Sequence, residues 1–143
     1  KEQCYFLLQH SLDNFETDYR TQYGWNARTN KDKKFEVEVL DLLSPVLGGV
    51  QHKVEWINLT EYSNNANLRL HIDARSQKTI ICNLSDGYEG GDFLVGEQAI
   101  KLNLGDVLIF NGGEVLHGVS PVTKGYRASF NLWLVENEVK TFI

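Results

Sequence analysis

His71, Asp73 and His117 are the side chains of this sequence whose types and spacing could hold a metal ion. His71-Ile72-Asp73 lies in a short β-prone run, and residues two apart on a strand point to the same side, so an imidazole and a carboxylate can reach one ion. His117, in Glu114-Val115-Leu116-His117-Gly118-Val119, offers a second imidazole. Two histidines and one carboxylate leave coordination positions open, a set that suits Fe(II) chemistry with dioxygen. On its own the H-x-D string is common by chance, and a lone strand histidine is more often a hydrogen-bonded structural residue. A second group raises its weight. Arg127 and Ser129 share one strand face, and an arginine presents a planar fork that matches a carboxylate. Inside a barrel the pair would be a carboxylate clamp; on a surface Arg127 would be an ordinary ion-pair partner. Tyr62 could add its hydroxyl to the same carboxylate.

The elements that must position these residues follow from the hydrophobic pattern. Tyr5, Leu8, Leu12 and Phe15 predict an amphipathic helix over 2–15. Phe35, Val39, Leu42, Leu43, Val46 and Leu47 predict a second over 31–47, capped by Asn30 or Asp32 and ended by Pro45 and Gly48-Gly49. Between them, 23–30 reads as a loop with two aromatics and an arginine. Trp25 and Arg28 make it a candidate lid or substrate strap, with a plain helix connector as the alternative. From Val50 onward short β-prone runs alternate with Gly, Asn and Asp turns: 53–62, 68–73, 78–84, 91–95, 98–102, 106–110, 115–119 and 126–135. Many short strands suggest a sandwich, barrel or jelly roll. In 68–73, Leu68, Leu70 and Ile72 oppose Arg69, His71 and Asp73; in 126–135, Ala128, Phe130, Leu132 and Leu134 oppose Arg127, Ser129, Asn131 and Trp133. If the helices cover the apolar faces, the polar faces line a barrel interior. A sandwich with its polar faces in solvent fits the same pattern.

The chain has 143 residues, 42% hydrophobic and 23% charged, which is one globular domain over 1–143: helical support in 1–49 and a β core in 50–143. A net charge of -5 argues against a nucleic-acid partner, and no apolar run is long enough for a membrane helix. Cys4 and Cys82 have apolar neighbours and read as free thiols, so a reducing cytoplasmic setting is expected.

His71-x-Asp73, Tyr88-Glu89-Gly90-Gly91-Asp92-Phe93, Gly105-Asp106-Val107-Leu108-Ile109-Phe110 and the run His117-Gly118-Val119-Ser120-Pro121-Val122-Thr123-Lys124-Gly125-Tyr126-Arg127 form a spaced combination. It resembles the Fe(II)/2-oxoglutarate-dependent dioxygenases, in their compact, microbial or viral, prolyl-4-hydroxylase-like branch. The resemblance covers 54–135 and implies a mainly β fold, a double-stranded β-helix or jelly roll, with the N-terminal helices on the outer face of the larger sheet. It implies that His71, Asp73 and His117 hold iron and that Arg127 and Tyr62, with Ser129, hold 2-oxoglutarate. Asn83 stands where prolyl hydroxylases often carry a tyrosine that touches the cosubstrate. Trp25, Arg28 and Trp133 are expected on the substrate side. Fe(II), 2-oxoglutarate and O2 are the implied cofactors, with ascorbate as a further candidate. The implied reaction hydroxylates a C–H bond and releases succinate and CO2; the expected partner is a peptide or protein, with proline first and a small molecule as the other option. Leu68 and the short 74–78 segment depart from the animal and plant enzymes. Two other readings remain open here: a catalytically silent jelly-roll binding module, and a cupin-like metal enzyme without 2-oxoglutarate, which would lack the clamp.

Overall fold

A computed structural model of the chain describes residues 1–20, 24–48, 51–74 and 76–136. Helix α1 (Glu2–Asn14) leads into strands β1 (Glu16–Arg20) and β2 (Asn26–Thr29), then helix α2 (Lys33–Leu43) with a tight 3-10 turn at Ser44–Val46. The β core follows: β3 (His52–Tyr62), β4 (Leu68–His71), β5 (Lys78–Asn83), β6 (Glu89–Gly90), β7 (Phe93–Val95), β8 (Gln98–Ile100), β9 (Val107–Phe110), β10 (His117–Val119), β11 (Val122–Lys124) and β12 (Arg127–Glu136). A large antiparallel sheet runs β1-β2-β3-β12-β5-β9, a smaller one β4-β10-β7-β8, and β6 pairs with β11. This is the expected jelly roll.

Asp32 is the cap of α2, accepting from the Lys34 backbone N–H at 2.9 Å, while Asn30 shapes the turn before it by accepting from the Asp32 N–H. Phe35, Val39 and Leu43 from α2, Leu47 beyond it, and Leu8, Leu12 and Phe15 from the α1 region pack on Ile57, Leu59, Phe130, Leu132 and Leu134 of β3 and β12. This seam is narrower than the expected stripes. Leu42 is 80% exposed, and Val46 and Tyr5 also face solvent. Phe35, Val39 and Leu43 fall four apart with Leu40 flanking them on one side, so Leu42 on the other side of the seam turns away. Gly49 and Tyr23 lie outside the described residues.

With the helices on the outer face of β3 and β12, their polar faces turn inward, which decides for the barrel over the sandwich. The face assignment of 68–73 needs one correction. His117 pairs with His71 but Val119 pairs with Leu68, so β4 carries a bulge opposite β10. The extra residue puts Leu68 on the cavity side with His71, and leaves Leu70 and Ile72 facing outward at 42% and 53% exposure. Gly118 permits the close approach, since a Cβ there would lie 2.6 Å from the Leu68 carbonyl oxygen.

The segment read as a loop is a strand. β2 pairs with β3 from Asn26↔Glu61 to Thr29↔Asn58. Arg28 is held in that strand: its Nε donates to Glu61 Oε1 at 2.6 Å, beside Asn26 Nδ2 at 3.1 Å, while the Tyr126 hydroxyl donates to Oε2 at 2.6 Å. Burial pushes the Glu61 carboxyl up, but its three donors outweigh that and hold it below its ordinary value. A lowered folded value adds stability above the unfolded carboxylate range and loses it as pH falls. Glu61→Gln is expected to cost about 1–2 kcal/mol at neutral pH. It should also flatten the loss of stability between about pH 5 and pH 3, as read by urea melts across pH.

Candidate functional site

The inner face of β12 presents Arg127, Ser129, Asn131 and Trp133 in turn, opposite Tyr62, Thr60, Asn58 and Trp56 of β3. These line one cavity of about 220 Å³ together with His71, Asp73 and His117 from the other side. The Trp133 indole N–H donates to Asp73 Oδ2 at 3.0 Å, so the carboxylate sits at the Trp133 end of the strand and Arg127 at the other.

At the first end, His71 Nδ1 lies 2.7 Å from the Arg69 carbonyl and His117 Nδ1 2.7 Å from the Val115 carbonyl. A carbonyl only accepts, so each ring carries its proton on Nδ1 and turns the Nε2 lone pair inward. His71 Nε2 is 3.2 Å from Asp73 Oδ1 and His117 Nε2 is 3.2 Å from Asp73 Oδ2. The three ligand atoms lie within 4.8 Å of one another. Lone pairs converging on a carboxylate repel unless a cation, or a shared proton, sits among them. Sharing a second proton with Asp73 at Nε2 pushes the His71 imidazole up against the opposing effect of burial. Burial alone would raise Asp73, yet the Trp133 N–H and the two imidazoles, wherever a proton is shared at Nε2, hold it far below the ordinary carboxylate range. The donor set fits a divalent metal of intermediate softness.

Asp73 is held from behind. Thr79 Oγ1 donates to Oδ2 at 3.0 Å, and the Asp73 backbone N–H donates to the Gly112 carbonyl at 2.7 Å. Oδ2 is thus loaded by two donors and Oδ1 is left for an ion. Gly112 has no room for a side chain: a Cβ would meet Thr79 Oγ1 at 2.1 Å and Asp73 Oδ2 at 2.5 Å. Gly112→Ala must displace both, and a loss of roughly 10–100-fold in divalent metal affinity is expected by calorimetric titration.

At the far end, Arg127 is 1% exposed. Its Nε has no hydrogen-bond partner, and among the described residues no carboxylate forms an ion pair with it. The Tyr62 ring lies 5.2 Å from the guanidinium carbon, with Trp25 stacked behind at 6.3 Å. Gly91 makes space for the arginine stem, where a Cβ would come within 2.9 Å of its Cδ. Burial keeps the Tyr62 phenol protonated, despite the lowering pull of Arg127, and therefore a donor. A buried guanidinium without a counter-charge is costly, so this end is built for an anion.

The cavity therefore joins His71, Asp73, His117, Arg127, Tyr62, Ser129, Trp25 and Trp133. Trp25 lines the cavity wall, clustered with Ala27, Ala66, Tyr88 and Val122. Arg28 and Asn83 do not line it. Asn83 is fully buried, its amide donating to the Tyr88 hydroxyl and the Leu102 and Asn103 carbonyls, so it braces the wall behind the site. Ser129 spends its hydroxyl proton on Asn131 Oδ1 at 2.7 Å, and Asn131 donates to Asn58 and Thr60. Sequence reasoning missed Trp56, Thr79 and Gly112. A polar Thr79 at the head of Ile80-Ile81 was a usable signal; Trp56 gains its place only through pairing with Trp133.

Residues 57–135 match the family model described as the 2OG-Fe(II) oxygenase superfamily. A PKHD-type hydroxylase of Parvibaculum lavamentivorans is 30% identical over 135 residues, covering 76% of this chain and 59% of that protein. The chain spans less than two thirds of the length of the curated relatives it matches. Among solved structures, a 2OG-Fe(II) oxygenase family oxidoreductase from Burkholderia pseudomallei aligns with TM-score 0.76 at 13% identity, over 93% of this chain and 77% of that one. A Pseudomonas putida prolyl-4-hydroxylase aligns with TM-score 0.69 at 16% identity, over 96% and 85%. At these identities the structures speak for the shared fold.

Proposed function

The chain belongs to the 2OG-Fe(II) oxygenase superfamily, and from that premise we propose that it hydroxylates a C–H bond of a peptide or protein side chain, with proline the first candidate. In this reading 2-oxoglutarate and O2 are consumed, and succinate and CO2 are released. The observation that carries it is the buried, unpaired Arg127 guanidinium in the same cavity as the His71, Asp73 and His117 triad. A silent binding module has no need of both, and a metal enzyme without 2-oxoglutarate has no need of the cation. The hydroxylase name of the relatives and the prolyl-4-hydroxylase fold likeness support the substrate class.

In this reading His71, Asp73 and His117 hold Fe(II), which when bound supplies the oxidising chemistry together with the keto acid and dioxygen. The protein residues supply position. Arg127 and the Tyr62 hydroxyl receive the distal carboxylate of 2-oxoglutarate, and the Ser129 hydroxyl beside them adds a donor when it turns from Asn131 Oδ1 to the carboxylate. Thr79 and Trp133 fix the Asp73 carboxylate, so the metal face stays open toward the cavity. The apolar walls from Ile81, Phe93 and Val119 exclude water from the reacting end.

Succinate formation from 2-oxoglutarate should be stimulated by proline-containing peptides, and mass spectrometry should find one added oxygen on proline. Free amino acids and nucleotides run in parallel. Full coupling to a free small molecule with peptides untouched would remove the peptide reading and leave the oxygenase reading in place. No consumption of 2-oxoglutarate with any substrate would remove both.

A further inference from the structure

The cavity does not end at the metal-ligand triad. A second depression opens beside Asp73, lined by Glu55, Trp56, Ile72, Ala74, Ser76 and Trp133, and it shares Trp56, Asp73 and Trp133 with the first. The two indoles oppose each other in the β3–β12 register, with centroids 5.4 Å apart and planes at 39°. Both of their N–H donors are already used: Trp133 donates to Asp73 Oδ2 at 3.0 Å and Trp56 to Thr29 Oγ1 at 3.1 Å. An indole whose N–H is satisfied inside the protein offers a ligand only its ring face and C–H edge. Ile72 and Ala74, both exposed, continue that apolar surface.

The depression also has a continuation. Glu55 and Trp56 line a third hollow with Asn30, Lys31, Lys33 and Glu36, at the start of α2. The track thus runs from the triad, past the two indoles, to a rim carrying charges of both signs. A small substrate would need the first cavity alone. A track of hollows that share their walls suits an extended chain, with apolar contact beside the triad and polar contact further out.

Resting on the proposed function, we propose that the Trp56–Trp133–Ile72 depression is the subsite for the substrate residue adjoining the one oxidised. It selects a saturated side chain without hydrogen-bonding groups, the pyrrolidine ring of proline or a branched aliphatic chain, on a peptide. An acidic side chain would meet the Asp73 and Glu55 carboxylates that line the same hollow, and a hydroxylated one would set its polar group against indole faces that have no donor to give, which costs free energy.

Blocked alanine hexapeptides with one central proline, leucine, serine or aspartate test this, titrated calorimetrically into the full chain alone and into the chain with Mn(II) and 2-oxoglutarate under anaerobic conditions. The depression is formed in the ligand-free fold, so proline and leucine peptides should bind in both states, about tenfold or more tighter than the serine and aspartate peptides. Trp56→Ala should bring the proline and leucine peptides down to the level of the serine peptide. Ala74→Trp, at an exposed position, should do the same by filling the hollow, which separates loss of the subsite from loss of the fold. Equal binding of all four peptides, no binding of any, or unchanged binding by both variants would overturn the subsite. The 2-oxoglutarate titration in the same samples reports on the proposed function by itself, so the two claims fail separately.

Discussion

Replacing His117 with alanine is expected to weaken divalent metal binding by more than about 100-fold, because even an outer partner of a ligand is worth roughly 10–100-fold. His117 is buried, its ring wedged against Phe110 at 4.8 Å and against the His71 ring at 4.4 Å. Its Nδ1 is committed to the Val115 carbonyl, so only Nε2 points into the site. Removing it leaves an imidazole and a carboxylate, a pair too small to close a three-ligand face. Mn(II) or Co(II) titration by calorimetry checks this, since both ions accept the same ligands. The Co(II) visible spectrum checks that the geometry is lost as well as the affinity. An alanine variant with unchanged metal affinity would place the ion elsewhere. The ligand-free fold should lose less than a cavity of this size usually costs, because the substitution also removes one of the lone pairs crowded around Asp73.

Much of this site was legible because strand alternation is a strict period. The faces of 126–135 could be assigned from the residues alone, and Arg127, Ser129, Asn131 and Trp133 do share the inner face. Where the period breaks, the reading breaks with it. The bulge between His71 and Leu68 has no signature in Leu68-Arg69-Leu70-His71; it arises from pairing with β10 across Gly118. The run 23–30 reads as a loop because Gly24, Asn26 and Asn30 are turn residues, and pairing with β3 on one side and β1 on the other makes a strand of 26–29. The loop-like composition of 23–30 points to Arg28 and the resemblance to Asn83, but their side chains answer to neighbours far away in sequence: Glu61 for Arg28, and Tyr88, Leu102 and Asn103 for Asn83. Trp56 shows the converse. Nothing in Glu55-Trp56-Ile57 marks it as functional until Trp133 is set opposite it.

Arg127→Ala is expected to weaken 2-oxoglutarate binding by about 2–5 kcal/mol, or roughly 30-fold to several-thousand-fold, because it leaves a buried carboxylate without its charged partner. The opposite sign is expected in the absence of ligand. Arg127 holds a positive charge in the interior with Nε unsatisfied and, among the described residues, no carboxylate paired to it, so the ligand-free fold carries a desolvation cost that the substitution removes. Against that stands the lost packing of its stem beside Gly91 and of its guanidinium beside the Tyr62 ring. The melting temperature without ligand should therefore fall little or rise, while the upward shift produced by 2-oxoglutarate in the parent chain should vanish. Arg127→Lys keeps the charge and loses the fork, so it should fall between the two. Tyr62→Phe should cost less than either, as it removes one neutral donor and keeps the ring beside the guanidinium. A purely structural arginine would give the reverse pattern: a large fall in melting temperature without ligand, and an unchanged shift on adding 2-oxoglutarate. That outcome would move the clamp away from Arg127 and take with it the observation on which the oxygenase reading of this cavity stands.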